Sequence, residues 1–428
     1  MNKEIKQRIE QLNNGKIPKG YQKTDFGVFP SDWVTDKTLG DLFDFYGGLS
    51  KSRDELGEEG YAYLHYGDLH RGSFNTVSID QYEQLPKCDI SLTGKEKCLM
   101  KDGDVAFLDA SEDLEGTSRA VLIDNPENKP FIAGLHIIYG KAKNNSLDKW
   151  FKQYITSSES VKKQFQRLSV GFKVYGVNRD TIPRIRVAFP SSLKEQSRIA
   201  EILMKWDKAI ELYDKQIDAL TRYKAVCLRK MFPAKGQNVP EWRFQGFTGA
   251  WEQRKVSEMF KITRGDVLAL PLTDEKPSDA KPYPVYSSQT KDNGLMGYFK
   301  DYLYEDAITW TTDGANAGTV NFRSGKFYCT NVCGVLLADK VMPNQMIAEA
   351  LNNVAKGHVS YVGNPKLMNN VMAEITISLP TSEKEREAIS AFFDQIDNLI
   401  TLHQRKKEAI INQRKILQQY LLNGIVRV

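Results

Sequence analysis

The sequence predicts an α+β protein of two globular lobes, each followed by a long helix, so that one lobe-and-helix pattern occurs twice. Three observations predict this fold class. PSSLKEQSRIAEIL at 190–203 and PTSEKEREAISAFF at 380–393 are two copies of one helix start, 190 residues apart in a chain of 428. Apolar residues at alternating steps of four and three follow each start. Short β-rich runs and Gly-, Asn- and Ser-rich loops precede each start.

The length and composition of the chain fit this division. A chain of 428 residues exceeds one ordinary domain, and a hydrophobic content of 41% can fill real cores. The predicted segments are a first lobe with a short N-terminal segment (1–189), a first long helix (190–235), a second lobe (236–379) and a second long helix (380–428). No run of 18 apolar residues or signal-peptide pattern occurs, so we expect a cytoplasmic protein with no membrane partner.

Cysteine, histidine and charge content narrow the function classes. The five cysteines form no CxxC pair and the five histidines are scattered, so buried free thiols are expected and a metal site is not. The formal charge of +5 permits a nucleic-acid partner without requiring one.

Both helix starts carry the same capping pattern. Ser192 and Ser382 can accept hydrogen bonds from the first free amides, and Glu195 and Glu385 follow three residues later. Because such a glutamate can bond back to the amide of the cap residue, we expect a capping box at both starts.

The residues after each start are spaced as in a coiled-coil seam. The first series is Ile199, Leu203, Trp206, Ile210, Tyr213, Ile217 and Leu220. The second is Ile389, Phe393, Ile396, Ile400 and Ile410, and basic Lys224 and Arg414 interrupt the two series at the same place. These apolar residues are the candidates for helix pairing or partner docking. Two ordinary amphipathic core helices are the alternative, but about 40 residues of helix span roughly 60 Å, more than a small domain needs.

The lobes resemble each other at their openings and then mainly in layout. FPSDWVTDKTLGDLFDF at 29–45 parallels FTGAWEQRKVSEMFKI at 247–262. Predicted strands include VAFLDA, AITWTT, CGVLLA and EITISLP, and predicted helical patches cover 147–168 and 344–355. We expect compact α+β lobes whose loops gather at one side.

Side chains that suit DNA lie in these loops at equivalent places of the two lobes. Ser, Thr, Asn, Gln and Arg exchange hydrogen bonds with base edges, and Lys and Arg neutralise phosphates. The first-lobe candidates for DNA binding are Tyr66, His70, Arg71, Ser111, Arg119, Lys173 and Tyr175. The second-lobe candidates are Tyr286, Ser287, Ser288, Gln289, Thr290, Lys291, Thr311, Thr312, Asn316 and Tyr361. For any one of them, an ordinary surface-loop residue is the alternative interpretation.

Motifs for catalysis are missing from the sequence. GGLSKS at 47–52 lacks the spacing of a P-loop, and GNPKL at 363–367 lacks the second proline of an amino-methyltransferase motif. DASEDLE at 109–115 is not followed by the lysine of a nuclease site, and the second lobe has TTDGANAG at that place. We therefore expect a chain that is not an enzyme.

Taken together, these features resemble the DNA specificity subunit of type I restriction–modification enzymes. The resemblance covers essentially the whole chain. It is carried by the helix starts at Pro190 and Pro380, by WEQRKVSEMF at 251–260, and by YPVYSSQ and AITWTTDGANAGTV in the second lobe. The first lobe departs more from the family pattern, notably in its acidic DASEDLEGTS loop.

The resemblance implies a fold and a set of partners. Each lobe would be a target-recognition domain that reads one half of a split, asymmetric sequence of double-stranded DNA. The two long helices would pair as an antiparallel coiled coil in a pseudo-two-fold internal repeat and act as a spacer. Each helical region would dock one methyltransferase (modification) subunit, and motor-nuclease (restriction) subunits would then join. S-adenosylmethionine, ATP and magnesium would belong to those partners, so no cofactor is expected in this chain.

Two other functions stay open on the residues alone. A coiled-coil scaffold would use both lobes to bind proteins and would never touch DNA. A standalone nuclease or methyltransferase would be active as the purified chain with Mg²⁺ or S-adenosylmethionine.

Overall fold

The computed structural model describes residues 3–428 except 72–75, 79–83, 92, 95, 112–117, 170–174 and 290, and leaves aside the side chains of 69–71, 110, 111, 175 and 291. The chain divides into two compact units, Met1–Asp214 with Lys406–Val428, and Lys215–Arg405. Lobe 1 is the part of the first unit before the first long helix. Lobe 2 is the part of the second unit between the two long helices. Each unit also contains a portion of both long helices.

The secondary structure alternates short strands with short helices up to each long helix. The helices are α1 (Lys3–Asn13), α2 (Leu39–Leu42), α3 (Tyr66–Arg71), α4 (Glu159–Leu168), α5 (Leu193–Met231), α6 (Val256–Met259), α7 (Gln345–Ala355), α8 (Asn369–Glu374) and α9 (Glu383–Leu422). The lobe 1 strands are β1 (Tyr21–Lys23), β2 (Val28–Pro30), β3 (Trp33–Thr38), β4 (Phe43–Gly47), β5 (Tyr61–Leu64), β6 (Thr76–Ser78), β7 (Lys87–Cys88), β8 (Leu99–Met100), β9 (Val105–Leu108), β10 (Ala110–Ser111), β11 (Ala120–Asp124), β12 (Phe131–Ala133), β13 (Ile137–Ala142), β14 (Tyr175–Gly176) and β15 (Arg186–Pro190). The lobe 2 strands are β16 (Glu252–Lys255), β17 (Phe260–Arg264), β18 (Tyr283–Tyr286), β19 (Leu295–Phe299), β20 (Tyr304–Thr311), β21 (Val320–Cys329), β22 (Cys333–Ala338) and β23 (Thr376–Leu379).

Both lobes open with the same strand–helix–strand unit, β3-α2-β4 and β16-α6-β17. The last strand of each lobe pairs antiparallel with the first strand of that unit, β15 with β3 and β23 with β16. The backbone amide of Leu39 donates to the Ile185 carbonyl at 2.8 Å, and that of Val256 donates to the Ile375 carbonyl at 2.9 Å. Trp33 and Trp251 are both buried beside these strands. The similar sequences at the lobe openings therefore form the same structure, in which the first and last strands of each lobe pair.

The sheets of the two lobes share one strand order with one interruption. Lobe 2 has a six-stranded sheet of order β17-β22-β20-β21-β18-β19. In lobe 1 the order β4-β13-β9-β11 continues in a second sheet as β12-β5-β7, and the short strands β6 and β8 flank these two sheets. The ten-residue strand β21 pairs with both β20 and β18, whereas in lobe 1 β11 pairs with β9 and β12 pairs with β5.

Proline explains the interruption in lobe 1. The segment between β11 and β12 contains Pro126 and Pro130, and Asn128 in it has a φ of 50°. Because proline lacks the N–H that a strand ladder needs, one continuous strand cannot form there. Lobe 2 has neither proline in β21 and bends that strand at Gly325, whose φ is 73°.

Each lobe has its own core, which includes seam residues of the long helices from the same unit. In unit 1, Ile199 and Leu203 of α5 and Leu421 of α9 are buried in the lobe 1 core. In unit 2 the core includes Ile389, Phe393 and Ile396 of α9 together with Met231 of α5. Burying these side chains removes apolar surface from water and so ties each helix end to a lobe.

Within each unit, the helix segments pack antiparallel and share an ion pair. In unit 1, Arg414 Nε lies 2.7 Å from Asp207 Oδ1, and Lys407 forms an ion pair with Asp214. In unit 2, Lys224 Nζ lies 2.8 Å from Asp397 Oδ1. Asp397 and Arg414 are the counterparts of Asp207 and Lys224 at an offset of 190 residues. The basic residues that interrupt the apolar series are thus partners of aspartates on the other helix. The predicted fold class of two α+β lobes with two long antiparallel helices is confirmed.

The helix starts differ in one respect from the prediction. The Ser192 and Ser382 hydroxyls accept from the amides of Glu195 and Glu385, both at 3.4 Å. The two glutamates, however, bind arginines: Glu385 accepts from Arg243 at 2.7 Å and Glu195 accepts from Arg427 Nη2 at 2.8 Å. Both carboxylates are largely buried, where a guanidinium is a stronger partner than a backbone amide. The reciprocal half of the expected capping box is therefore replaced by an ion pair.

Within the part of the chain that the structure describes, no helix is both long and apolar enough to cross a bilayer.

Candidate nucleic-acid interface

Loops from distant parts of lobe 1 meet at one edge of the sheets, where backbone hydrogen bonds join them. The donor–acceptor pairs are Gly48 to Ile137 (2.9 Å), Leu49 to Ala133 (2.8 Å), Gly134 to Leu64 (2.9 Å), Asp109 to His136 (3.2 Å) and Val177 to Asp109 (2.8 Å). We call the residues in these bonds the loop junction of lobe 1. Backbone donors and acceptors fix loops independently of side-chain identity.

Lobe 2 repeats this junction bond for bond. The pairs are Gly265 to Cys333 (2.9 Å), Asp266 to Cys329 (3.1 Å), Thr330 to Tyr286 (2.9 Å), Thr312 to Val332 (2.9 Å) and Leu367 to Thr312 (2.9 Å). Asp109 therefore corresponds to Thr312, His136 to Val332 and Leu64 to Tyr286. The expectation that loops gather at one side is confirmed in both lobes, although hardly any junction residue is shared.

A glycine is required at one position of each junction. A Cβ atom at Gly48 would lie 2.0 Å from the Gly134 carbonyl oxygen, and one at Gly265 would lie 2.3 Å from the Thr330 carbonyl oxygen. Real Cβ atoms do not approach backbone oxygens so closely. Glycine thus lets the first loop lie directly on the hairpin that follows β12 or β21.

Aromatic and charged side chains cover the lobe 1 junction. The Tyr66 ring lies 4.5 Å from that of His65 and meets the His136 ring edge-on at 5.2 Å. Asp109 Oδ1 is 2.9 Å from His136 Nδ1, and Asp68 Oδ1 is 2.6 Å from Arg53 Nη2. Burial, and then the nearby Arg53 charge, lower the pKa of His65, so its ring favours the neutral form. Its Nδ1 accepts from the Gly67 amide at 3.1 Å.

Short polar contacts cover the lobe 2 junction. Ser287 Oγ bonds Thr330 Oγ1 at 3.0 Å, and the Asn316 amide donates to the Ser288 carbonyl at 2.9 Å. Thr312 donates to the Val332 carbonyl at 3.0 Å. These bonds join two predicted loop clusters, 286–291 and 311–316, to the hairpin after β21.

A buried arginine supports the 286–294 loop from below. The guanidinium carbon of Arg323 lies 3.7 Å from the centroid of the Tyr286 ring, close enough for a cation–π contact. Its Nη2 donates to the Asn293 carbonyl at 2.7 Å and its Nε to Thr309 Oγ1 at 3.1 Å. Burial lowers the pKa of this guanidinium. Asp292 and Asn293 have φ values of 50° and 52°, so Arg323 holds a loop in an uncommon conformation.

Two basic side chains of lobe 2, Arg264 and Lys366, lie near the carboxylate of Asp313. Arg264 Nη2 lies 3.3 Å from Asp313 Oδ2, and Lys366 Nζ lies 3.8 Å from Asp313 Oδ1. Arg264 and Lys366 keep about half of their side-chain surface exposed, 42% and 51%. Both can therefore reach an external phosphate as well as Asp313.

The predicted DNA-binding residues fall into different settings. Tyr361 is 71% exposed, Asn316 and Ser288 form the bond given above, and Gln289 donates to the Leu295 carbonyl. Thr311 and Thr312 are buried, so these side chains support the loop and do not face solvent. Arg119 is half-buried beside β11. Lys173 and Thr290 lie outside the described residues, as do the side chains of His70, Arg71, Ser111, Tyr175 and Lys291.

Several residues in or around the two junctions were missing from the predicted DNA-binding residues. They are Arg53, Asp109, His136, Arg264, Asp313, Arg323 and Lys366. Asp109 had a local signal, since it is the one charged residue of the predicted strand VAFLDA. Arg323 and His136 had none, because Arg323 lies within a strand and His136 in an ordinary hairpin.

The helix-seam candidates also occupy two settings. Ile199, Leu203, Ile389, Phe393 and Ile396 are buried in the cores of their units. Trp206, Ile210, Ile217, Ile400 and Ile410 are half-buried on the long helices.

Comparison with known proteins gives one family for both halves of the chain. Residues 30–222 and 249–412 match the model of the type I restriction modification DNA specificity domain. A candidate type I specificity subunit of Mycoplasma pneumoniae is 30% identical over 252 residues, which cover 57% of this chain and 98% of that protein. Another from that organism, described as an N-terminus, is 40% identical over 144 residues, 33% of this chain and 74% of its own length.

Similarity to a solved structure extends over nearly the whole chain. The S subunit of a type I restriction–modification system from M. genitalium has a TM-score of 0.62 at 15% identity and covers 91% of this chain and 96% of that one. At this identity the likeness concerns the fold alone.

Proposed function

Because the chain belongs to the family of type I restriction–modification DNA specificity subunits, we propose that each lobe reads one half of a split, asymmetric DNA target. The observation that carries this proposal is the loop junction, which occurs in both lobes with the same backbone bonds and different side chains. A repeated frame with unlike surfaces suits two unlike half-sites on one duplex. The two halves of the target are then encoded where the lobes differ.

The side chains around each junction match the chemistry of DNA contact. Arg264 and Lys366 can neutralise phosphates beside lobe 2, and Ser288, Gln289 and Asn316 can exchange hydrogen bonds with base edges. Lobe 1 offers Tyr66, Arg53 and His136 around a different set of loops. Phosphate contacts give affinity that falls with salt, and base contacts give discrimination of about 1–3 kcal/mol per wrong base pair.

In this proposal the long helices set the spacing of the half-sites and dock the methyltransferase subunits, one for each helical region. Leu212 of α5 and Leu402 of α9 stand 190 residues apart in the sequence and are 55% and 45% exposed. An exposed leucine at the same position of both repeats suits two copies of one partner. Leu212→Glu and Leu402→Glu should each weaken docking of one methyltransferase subunit, and the double variant should weaken docking of both.

We assign no reaction step to this chain. The methyltransferase subunits would bring S-adenosylmethionine, and the motor-nuclease subunits would bring ATP and magnesium. The family and the missing catalytic motifs in the sequence support this assignment. The chain would work in the cytoplasm on double-stranded DNA.

Methylation mapping tests the proposal. The chain is expressed together with a cognate methyltransferase subunit, in a host without its own adenine or cytosine methylation. We expect new methylation at one two-part motif with a fixed gap between its halves. A stable complex that leaves the genome unmodified would contradict DNA reading and would favour the protein scaffold. Activity of the purified chain alone with S-adenosylmethionine or Mg²⁺ would contradict its non-catalytic role.

A further inference from the structure

His136 occupies an unusual position in the lobe 1 hairpin between β12 and β13. Its φ is 61°, in the left-handed region where glycine is the usual residue, and the Ile137 amide closes the turn onto the Gly134 carbonyl at 3.1 Å. In lobe 2 the Cys333 amide donates to the Thr330 carbonyl at 2.9 Å and closes the same turn. Val332, which is the counterpart of His136, is not in the left-handed region. The fold therefore does not require a left-handed residue at this step. Strain that a fold does not require is a pointer to function.

The imidazole of His136 is held from two sides. Asp109 Oδ1 lies 2.9 Å from Nδ1, and the Tyr66 ring packs edge-on at 5.2 Å. Because a carboxylate only accepts, Nδ1 carries the proton of this bond and the other ring nitrogen, Nε2, is the acceptor of a neutral imidazole. Within the described residues Nε2 has no hydrogen-bond partner, and the side chain keeps 43% of its surface exposed.

His136 borders a cleft of about 870 Å³ in lobe 1. The polar side chains around this cleft are those of Ser50, Asp109, His136, Asn178, Arg179 and Thr181, and Ile138 and Val177 form apolar parts of its wall. A cleft with a few convergent polar groups on an apolar wall is typical of a binding site. The cleft lies at the loop junction, which is the region of lobe 1 assigned above to DNA.

We propose that His136 is a base-reading side chain of lobe 1 and that Asp109 and Tyr66 are its positioning residues. Nε2 accepts a hydrogen bond from the exocyclic amino group of an adenine or a cytosine in the major groove. Arg179 stands at the same cleft and suits the adjoining phosphate. This inference rests on the proposed function and deepens it, since it assigns one position of the first half-site to one residue.

Replacement of His136 by glycine tests the inference without straining the hairpin. Glycine adopts the left-handed φ more readily than histidine, so His136→Gly removes the imidazole and leaves the turn. We expect methylation mapping to show at least a tenfold loss of discrimination at one base pair of the first half, with the second half unchanged. Asp109→Asn should relax the same position less. Asn128→Gly, at another left-handed residue of lobe 1 that lies outside the junction, is the matched control and should leave both halves intact.

The outcomes separate reading from folding. The thermal unfolding midpoint of His136→Gly should equal or exceed that of the unaltered chain. A lower midpoint with an unchanged motif would mean that His136 is only structural, and an unchanged motif and rate with an unchanged midpoint would equally overturn the inference. If relaxation fell in the second half, the assignment of His136 to the first half-site would be wrong. If the unaltered chain itself directs no two-part methylation, the proposed function fails, and this inference fails with it.

Discussion

Lobe 1 and lobe 2 reach the same loop junction from sequences that share little beyond their openings. Both use five corresponding backbone hydrogen bonds and one glycine that lies against a hairpin. Around that frame, lobe 1 has Asp109 and His136 where lobe 2 has Thr312 and Val332. Backbone bonds specify the frame, so the side chains at the same steps are free to change without loss of the fold. The comparison shows how one architecture can carry two different recognition surfaces.

The lobes differ also in how their sheets continue. In lobe 1, Pro126 and Pro130 separate strands β11 and β12, whose counterpart in lobe 2 is the single strand β21. A second difference is that the residue at the position of Asp104, just before β9, is Ala307 in lobe 2. These differences lie away from the junction. They make it possible to perturb one lobe and use the other as its control.

The largest expected effect comes from the junction glycines. Gly48→Ala and Gly265→Ala place a Cβ at 2.0 and 2.3 Å from a backbone oxygen, so each should lower the free energy of unfolding by about 3 kcal/mol. Thermal or urea unfolding measures the loss. Gly47→Ala and Gly357→Ala are the matched controls, since an added Cβ meets nothing within 3.8 Å at Gly47 and nothing within 4 Å at Gly357. A shared frame is contradicted if only one of the two junction variants is destabilised.

The arginine–glutamate pairs at the helix starts should respond unequally. Glu385→Gln leaves the guanidinium of Arg243, 14% exposed, without its carboxylate, which should cost about 3 kcal/mol. Arg427 is more exposed than Arg243 and keeps its bond to Asp32 at 2.7 Å when Glu195 is replaced. Glu195→Gln should therefore lower the free energy of unfolding by only about 1 kcal/mol. Unfolding curves of both variants test the difference, with exposed Glu383→Gln as the control. Equal losses would mean that burial does not set the strength of these pairs.

Asp104 should give lobe 1 a pH dependence that lobe 2 lacks at the corresponding Ala307. Burial raises the pKa of Asp104 to about 6, above its value of about 4 in an unfolded chain. A raised carboxyl pKa stabilises the fold below pH 4, and this contribution is lost as the pH rises through 6. Asp104→Asn should therefore reduce the fall in unfolding free energy between pH 4 and pH 7 by about 2 kcal/mol. A variant with the same pH profile as the unaltered chain would show that Asp104 titrates normally.

The smallest effect is expected for the support of the lobe 2 loop. Arg323→Met removes the contact with Tyr286 and the bond to the Asn293 carbonyl, so the 286–294 loop should read its half-site about tenfold less selectively, roughly 1.4 kcal/mol. Methylation mapping should show relaxation in the second half alone. Asn316→Ala removes the bond to Ser288 and should act on the same half. Relaxation of the first half by either variant would contradict separate reading.

The elements that follow local rules could be predicted from the sequence. The capping serines, the 3,4 spacing and the β-rich runs predicted both long helices and several of the strands, and the repeat predicted a second copy of the fold. The family prediction is confirmed by the match over both halves of the chain. The DNA-binding residues stay a prediction.

The side chains at the junctions could not be predicted in the same way. The bond from Gly134 to Leu64 joins residues far apart in sequence, and nothing local to either indicates it. Thr312 reads as a polar loop residue, yet the hairpin after β21 covers it. From the sequence, Arg323 would be an exposed residue of a strand, but in the structure it packs against the Tyr286 ring. Long-range packing decides which polar side chains face outward.

Methylation mapping of two single-lobe variants, side by side with the unaltered chain, tests the central claim most directly. His136→Gly alters lobe 1 and Arg323→Met alters lobe 2, each expressed with the same methyltransferase subunit. Two lobes that read separate half-sites predict that each variant relaxes a different half of one motif and that the gap between the halves stays the same. A change in both halves from either variant, or a change in the gap, would contradict the account.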